Sequence, residues 1–256
     1  MLDSAEIDWP AMGSAALSLG NAVASSEDAD VARPMASLTK IVTALVILDA
    51  APLPPGAQGP MFRMDETDAG FAQAEAERVG RYVPVSPGDV LTQRQLLELM
   101  LVASSNNHAT SLVTRIFGNE RAYVAAAQRW LDERDLHGVR IADASGLSPA
   151  NRASALDLLM IGRLAAADPT ITEIAALPAT RAVPGREQPA TNDLLGTLGI
   201  TGLKTGYTDA AGHTTLFVTS IGDEQLVGVV LGSPSATQRA TDVTRLVAQL
   251  RSLVAG

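Results

Sequence analysis

Lysine is rare in this 256-residue chain: Lys40 and Lys204 are the only lysines among 19 basic residues. A guanidinium stays protonated in proteins, whereas a buried lysine ammonium can lose its proton and act as a base. Because arginine carries every other basic charge, we interpret the two lysines as retained for chemistry. A general arginine bias with two lysines left by chance is the alternative.

Lys40 ends the sequence Ser37-Leu38-Thr39-Lys40. Residues three apart on a helix lie on one face, so the amine can reach the serine hydroxyl. A serine becomes a useful nucleophile when a neighbouring base takes its proton. Lysine can be that base if burial or a second cation, such as Lys204, lowers its pKa. The apolar residues 41–46 indicate that the motif opens a buried helix rather than a solvated one.

Ser104-Ser105-Asn106 follows the apolar stretch 96–102. A hydroxyl and an amide at this point can project into a cleft, where the first relays protons and the second orients a substrate amide. Ser and Asn also favour helix starts, so a simple N-terminal cap is the alternative.

Lys204-Thr205-Gly206 lies inside residues 202–208, which we predict to form a strand. Glycine lets a substrate backbone come close, and Lys204 with Thr205 supplies a cation and a donor for a substrate carboxylate. An ordinary edge strand with an exposed lysine is the alternative.

The elements that position these motifs are predicted to be strands at both chain ends and helices between them. Residues 14–19 and 22–25 form one predicted hairpin and residues 214–221 and 225–231 a second. The apolar spacing of 237–254 predicts an amphipathic helix packed on the shared sheet. Further helices are predicted over 37–48, 92–102, 106–116, 120–133, 153–166 and 170–177, and a loop over 182–198.

Composition excludes several classes of function. A formal net charge of −9 argues against a nucleic-acid partner, and the chain has no cysteine for thiolate chemistry. The apolar stretches are too short for a membrane span, and residues 1–6 do not have the pattern of a signal peptide. The three histidines lack metal-ligand spacing. The acidic clusters 65–68 and 75–77 are expected to be solvated or loop charges rather than catalytic carboxylates.

The three motifs, in this order, resemble the active-site signature of the penicillin-recognising serine enzymes. Residues 33–43 and 202–212 resemble, most closely, the low-molecular-mass D-alanyl-D-alanine carboxypeptidases of peptidase family S11. Residues 144–147 through 156–158 also resemble a stretch of that family, so the resemblance covers most of the chain.

This resemblance implies an α/β (α+β) fold of the serine β-lactamase and penicillin-binding transpeptidase type. It has a five-stranded antiparallel sheet from both chain ends and a helical lobe. Residues 1–256 are expected to form one catalytic domain, with a sheet lobe of about 1–36 and 199–256 and a helical lobe of about 37–198. The active site is expected in the cleft between the lobes.

The resemblance also implies a role for each motif. Ser37 attacks the penultimate D-alanine carbonyl of a peptidoglycan stem peptide, Lys40 accepts its proton, and Ser104 passes the proton to the leaving D-alanine. The implied substrate-binding residues are Asn106, Lys204, Thr205, Gly206 and Tyr207. The backbone amides of Ser37 and Tyr207 form the oxyanion hole. β-Lactams acylate Ser37, and neither a metal nor another cofactor is needed.

Two residues depart from the family pattern: Asn107 stands where many relatives have Asp, and Tyr207 where histidine is frequent. A class A β-lactamase should carry a deacylating glutamate near 138–143, where this chain has none. A D,D-endopeptidase and a penicillin-binding sensor without turnover remain alternatives. The substrate places the working protein outside the cytoplasmic membrane, and the sequence gives no indication of the oligomeric state.

Overall fold

The computed structural model describes residues 2–183 and 185–255. The predictions that include Met1, Pro184 and Gly256 therefore lie, at those residues, outside the described part. The strands are β1 (Ser14–Leu19), β2 (Ala22–Ser25), β3 (Arg33–Pro34), β4 (Met61–Arg63), β5 (Val90–Thr92), β6 (Arg152–Ala153), β7 (Ala179–Val183), β8 (Arg186–Pro189), β9 (Gly202–Thr208), β10 (Gly212–Ile221) and β11 (Glu224–Ser233). The helices are α1 (Thr39–Ala50), α2 (Glu66–Glu77), α3 (Gln93–Leu101), α4 (Asn106–Phe117), α5 (Glu120–Asp132), α6 (Ala155–Ala167), α7 (Pro169–Ala175) and α8 (Ala236–Ala255).

The main sheet has five antiparallel strands in the order β2-β1-β11-β10-β9. This confirms the predicted sheet built from both chain ends. At its centre Gly228 pairs with Leu17 on one side and Phe217 on the other. A Cβ at Gly228 would lie 2.2 Å from the Phe217 ring, so glycine leaves the room that this ring fills.

Both faces of the sheet are buried because side chains alternate along each strand. On β10, Phe217 belongs to the cluster that includes Leu246 and Leu250 of α8. Its neighbour Leu216 joins the larger cluster, which includes α1 and α6. We therefore propose that the predicted sheet and helical lobes are parts of one domain, an organisation that this two-sided packing supports.

One prediction about local structure is wrong, and one helix was not predicted. The predicted loop over 182–198 contains β8, which pairs with β7. Strand β7 is held against the protein by its alternating buried side chains, Thr180 and Ala182. Helix α2 was not predicted, since its sequence is rich in acidic residues. It begins at a capping box, in which the Asp65 carboxylate accepts from the backbone of Asp68 and the Asp68 carboxylate accepts from the backbone of Asp65. No helix among the described residues has the length and apolar character needed to cross a bilayer.

Candidate active site

Ser37 lies in a 3-10 turn, Ala36–Leu38, that leads directly into α1. The predicted helix therefore begins two residues later than expected, but Ser37 and Lys40 still share a face. Lys40 Nζ donates to Ser37 Oγ at 3.1 Å. Ala36 has a φ of +48°, in the left-handed region. Such strain in a non-glycine residue is typical of functional sites.

The side chain of Lys40 is fully buried, with 0% exposure. Its Nζ also donates to Asn106 Oδ1 and to the Ser145 carbonyl, each at 2.7 Å. Burial lowers the pKa of Lys40 to about 7, against the opposing charges of Asp143 and Glu75, and Arg81 contributes in the same direction as burial. A substantial fraction of Lys40 is thus neutral near pH 7 and can accept a proton.

Ser104 connects α3 to α4 and adopts a φ of +59°. Its Oγ donates to Ser37 Oγ at 3.2 Å, so the second motif meets the first. Ser105 is the N-cap residue of α4, but its side chain makes no capping hydrogen bond. The hydroxyl donates instead to Asn107 Oδ1 at 2.6 Å. The simple cap interpretation of this motif is therefore wrong.

Lys204 on β9 is 1% exposed and lies behind the cleft wall. Its Nζ donates to the Thr205 carbonyl at 2.8 Å and to Thr191 Oγ1 at 3.3 Å. Burial, then the charge of Lys40, holds the pKa of Lys204 well below its ordinary value. Among the cations, it is Arg81 rather than Lys204 that contributes most clearly to the lowered pKa of Lys40.

The strand β9 lies against the backbone of Ser37 at Gly206. A Cβ at this position would be 2.8 Å from Ser37 N. Glycine therefore permits the close approach that an oxyanion hole between Ser37 and the next strand residue requires. That next residue is Tyr207, whose ring is exposed and lies 4.4 Å from the His213 ring, between ring centroids.

These residues border a cleft of about 410 Å³. The sequence-predicted residues that line it are Ser37, Ser104, Asn106, Thr205, Gly206 and Tyr207. Lys40 and Lys204 lie behind its wall. Arg239, near the start of α8, also lines the cleft and pairs with Asp193. Sequence reasoning missed Arg239 because no local signal separates it from the other arginines of α8.

The expectation that the acidic clusters are solvated is wrong for Glu75 and Asp68. Glu75 is 8% exposed, and its Oε2 accepts from Asn106 Nδ2 at 2.7 Å. Asp68 is 2% exposed and pairs with Arg115. Both partners are distant in sequence, so the acidic pattern of α2 gave no sign of this burial. Glu75 lines a neighbouring cavity rather than the Ser37 cleft.

The loop that supplies the Ser145 carbonyl is organised by Asp143. Its carboxylate accepts from the backbone N–H groups of Ser145, Gly146 and Ser148, at 2.6–2.7 Å. Burial opposes ionisation, but these donors prevail and lower the pKa of Asp143. Gly146, with a φ of +88°, lies so close to the Ala36 carbonyl that a Cβ would come within 1.9 Å. The loop is thereby fixed against the turn that contains Ser37.

Asn107 is fully buried, and its side-chain amide holds the backbone of Val83, which lies in the segment before the second motif. Its Oδ1 accepts from Val83 N at 3.2 Å, and its Nδ2 donates to the Val83 carbonyl at 3.1 Å. Beside it, burial lowers the pKa of His108 to about 4, so the imidazole is neutral. In residues 2–183 and 185–255, no group of three or more His, Asp or Glu residues could hold a metal ion.

We expect Asn107→Asp to destabilise the fold. A carboxylate cannot donate to the Val83 carbonyl, and it places a charge in a buried site, so the free energy of unfolding should fall by about 1–3 kcal/mol. Urea denaturation measures this change. Asn119→Asp is the matched control, because Asn119 uses only its Oδ1, as the N-cap of α5, and aspartate caps equally well. Equal stability of the two variants would contradict the proposed role of the Asn107 amide.

A family model described as D-alanyl-D-alanine carboxypeptidase, peptidase S11, matches residues 18–235. The chain is similar to a D-alanyl-D-alanine endopeptidase of Escherichia coli, with 29% identity over 88% of this chain and 72% of that protein. It is also similar to the D-alanyl-D-alanine carboxypeptidase DacB2 of Mycobacterium tuberculosis, with 32% identity over 80% of this chain and 68% of that protein.

Solved structures agree with these matches. A D-alanyl-D-alanine carboxypeptidase from Mycobacterium tuberculosis H37Rv superposes with a TM-score of 0.82 and 27% identity, covering 96% of this chain and 92% of that one. The Streptomyces K15 DD-transpeptidase superposes with a TM-score of 0.84 and 21% identity, covering 95% of this chain and 98% of that one. At this identity the similarity is one of fold. The predicted penicillin-binding transpeptidase fold is confirmed.

Proposed function

The chain belongs to the D-alanyl-D-alanine carboxypeptidase family, peptidase S11, and from that premise we propose that it removes the terminal D-alanine of peptidoglycan stem peptides through an acyl-enzyme on Ser37. It is a serine peptidase by this membership. The observation that carries the proposal is the convergence of Lys40 Nζ and Ser104 Oγ on Ser37 Oγ, at 3.1 and 3.2 Å.

In the proposed acylation, neutral Lys40 takes the proton of Ser37 as its Oγ attacks the penultimate D-alanine carbonyl. The backbone N–H groups of Ser37 and Tyr207 stabilise the negative charge that develops on the carbonyl oxygen. Ser104 relays the proton from Lys40 to the departing amine. The peptide C–N bond breaks, free D-alanine leaves, and water later hydrolyses the ester.

The terminal carboxylate has two donors on the cleft surface, Thr205 and Arg239. The Thr205 hydroxyl donates to the Thr191 carbonyl at 3.1 Å, and Arg239 pairs with Asp193. Substrate binding should exchange these partners for the substrate carboxylate. We propose that Lys204 contributes positive charge from behind the strand, and that Asn106 holds the substrate backbone from the opposite wall.

Endopeptidase action on crosslinked stem peptides is a second candidate, favoured by the similarity to the Escherichia coli endopeptidase. The chemistry is the same, and only the leaving group is larger. A β-lactamase function is less well supported. Asp143 is the acidic residue of the 138–143 region, and its carboxylate already accepts hydrogen bonds from backbone N–H groups of its own loop. Action on peptidoglycan would place the working protein outside the cytoplasmic membrane.

The test is to measure D-alanine release from a pentapeptide ending in D-Ala-D-Ala, with the same peptide ending in L-Ala as the control. A crosslinked muropeptide tested in parallel separates carboxypeptidase from endopeptidase action. Intact-mass spectrometry after exposure to penicillin should show a single covalent adduct. An adduct without release from either peptide would indicate a penicillin-binding sensor, and the absence of both would overturn the proposal.

The pH dependence of acylation should follow Lys40. Because only the neutral amine accepts a proton and its pKa is about 7, kcat/KM should rise with pH through about pH 7. On the acidic side it should fall by about tenfold per pH unit. Stopped-flow measurement of acylation by a chromogenic β-lactam provides the profile. A profile flat between about pH 6 and 9 would contradict Lys40 as the base.

A further inference from the structure

Glu75 is a buried carboxylate that the proposed chemistry does not use. It projects from the last turn of α2, in a part of the chain outside the three motifs, and its Oε2 accepts from Asn106 Nδ2 at 2.7 Å. It lies beside Gly80, where a Cβ would be 2.1 Å from Oε2. Because Gly80 has no side chain, the carboxylate has room behind Asn106.

The contacts of Lys40 decide where its lone pair points. A neutral lysine amine has two N–H groups and one lone pair. Asn106 Oδ1 and the Ser145 carbonyl, each 2.7 Å from Nζ, can only accept hydrogen bonds. In the neutral amine they therefore take both N–H groups, and the lone pair occupies the direction in which the ammonium donates to Ser37 Oγ, at 3.1 Å. This is the arrangement that a general base for Ser37 requires.

The arrangement depends on which end of the Asn106 amide faces Lys40. If the amide were turned over, its NH2 group would face Nζ and attract the lone pair away from Ser37. A carboxylate can only accept, so Glu75 requires the NH2 end of Asn106 and leaves Oδ1 for Lys40. One N–H of Asn106 Nδ2 is engaged by Glu75, and the second remains for a substrate carbonyl in the cleft.

We propose that Glu75 is a positioning residue that fixes the orientation of the Asn106 amide and thereby aims the Lys40 lone pair at Ser37. This inference rests on the proposed function. Glu75 lines the cavity next to the Ser37 cleft rather than the cleft itself. It therefore acts through Asn106 and is not a base that activates water for deacylation.

The charges that face Lys40 come from four parts of the fold. Glu75 on α2 and Asp143 on the loop after α5 favour its protonated form, whereas Arg81 before α3 and Lys204 on β9 oppose it. Replacing Glu75 with a neutral residue removes one of the two favourable charges. A turned Asn106 amide would also favour the neutral amine. Both effects lower the midpoint of the pH profile, which is the pH at which the acylation rate reaches half of its plateau value.

The experiment compares Glu75→Gln with Glu77→Gln, a matched loss of one carboxylate at an exposed position of the same helix. Acylation by a chromogenic β-lactam is followed as a function of pH. In E75Q the midpoint should move to lower pH and the plateau rate should fall by about 3- to 10-fold, because a glutamine accepts either orientation of Asn106. E77Q should match the wild type. A wild-type plateau rate in folded E75Q would overturn the proposal, since loss of the Glu75 charge alone moves the midpoint without disturbing the aim of the Lys40 lone pair.

A second readout does not depend on activity. The side-chain amide signals of Asn106 in 15N-labelled protein, assigned by their loss in Asn106→Ser, should move in E75Q and stay in E77Q. If the wild type is not acylated, the proposed function fails, and these amide signals alone test whether Glu75 orients the Asn106 amide. If E75Q does not fold, Glu75→Asp replaces it. This variant keeps the charge, so the pH of half-maximal acylation should stay the same while the plateau rate falls. A wild-type plateau rate together with unmoved amide signals would overturn the proposal.

Discussion

Replacing Ser37 with alanine should abolish both the penicillin adduct and the release of D-alanine. Ser37 Oγ is the atom on which Lys40 and Ser104 converge, and alanine has no group that can form the ester. Removing the nucleophile of a serine hydrolase lowers the rate by about 10⁴-fold or more, since binding and the oxyanion hole contribute only the remainder. Intact mass and D-alanine release measure the two losses separately.

The fold should tolerate this change, because only one oxygen atom at the edge of the cleft is removed. Ser86→Ala, an exposed serine outside the cleft, is the matched control and should keep both the adduct and the activity. An adduct of unchanged amount in Ser37→Ala would show that another residue is acylated. The assignment of Ser37 as the nucleophile would then be withdrawn.

The parts of the fold that sequence predicted well are those fixed by local pattern. The two-residue turn between β1 and β2 and the short turn between β10 and β11 define hairpins, and the apolar spacing of α8 predicts its buried face. The pairing of Ser37 with Lys40 was equally local, because a spacing of three residues places both on one face. The remainder of the sheet is completed by two pairings between distant segments, β1 of the first hairpin with β11 of the second, and β9 with β10.

The parts that sequence did not predict depend on contacts between distant residues. Glu75 resembles any surface glutamate, and its burial becomes visible only when α2 packs beside Asn106. Contacts made by backbone groups are a second limit on prediction from sequence. Lys40 donates to the Ser145 carbonyl, and every residue has such a carbonyl, so the residue type does not reveal the contact. Arg239 illustrates a third, because α8 reaches the cleft only through its position on the sheet.

These missed contacts also change the interpretation of Lys204. The sequence suggested a cation that meets the substrate carboxylate directly; we propose instead that Thr205 and Arg239, which both line the cleft, donate to it. Lys204 is held behind them by the Thr205 carbonyl and Thr191. An anionic carboxylate bound in the cleft favours the protonated form of Lys204, and the attraction between the two charges is screened little in a protein interior.

Lys40→Arg should lower acylation by about 10³-fold or more, within the range that general-base catalysis contributes. Arginine keeps the positive charge but does not lose its proton, so it cannot take the proton of Ser37. The guanidinium must also fit a site where the native side chain is fully buried. Lys40→Met therefore accompanies it, since methionine fills a similar volume without a charge or a basic nitrogen. Substantial acylation of either variant would contradict Lys40 as the base.

The methionine variant also tests the burial of Lys40 through stability. In the folded protein the pKa of Lys40 is about 7 instead of 10.5, so between these values the unfolded chain binds more protons. The free energy of unfolding of the wild type should therefore rise with pH in this window, and Lys204, whose pKa is also lowered, adds a rise of the same sign. Lys40→Met should reduce the slope by up to about 1.4 kcal/mol per pH unit. Equal slopes in denaturant titrations of the two proteins would mean that Lys40 folds into the core as an ammonium, and a lysine held in that state could not serve Ser37 as a base.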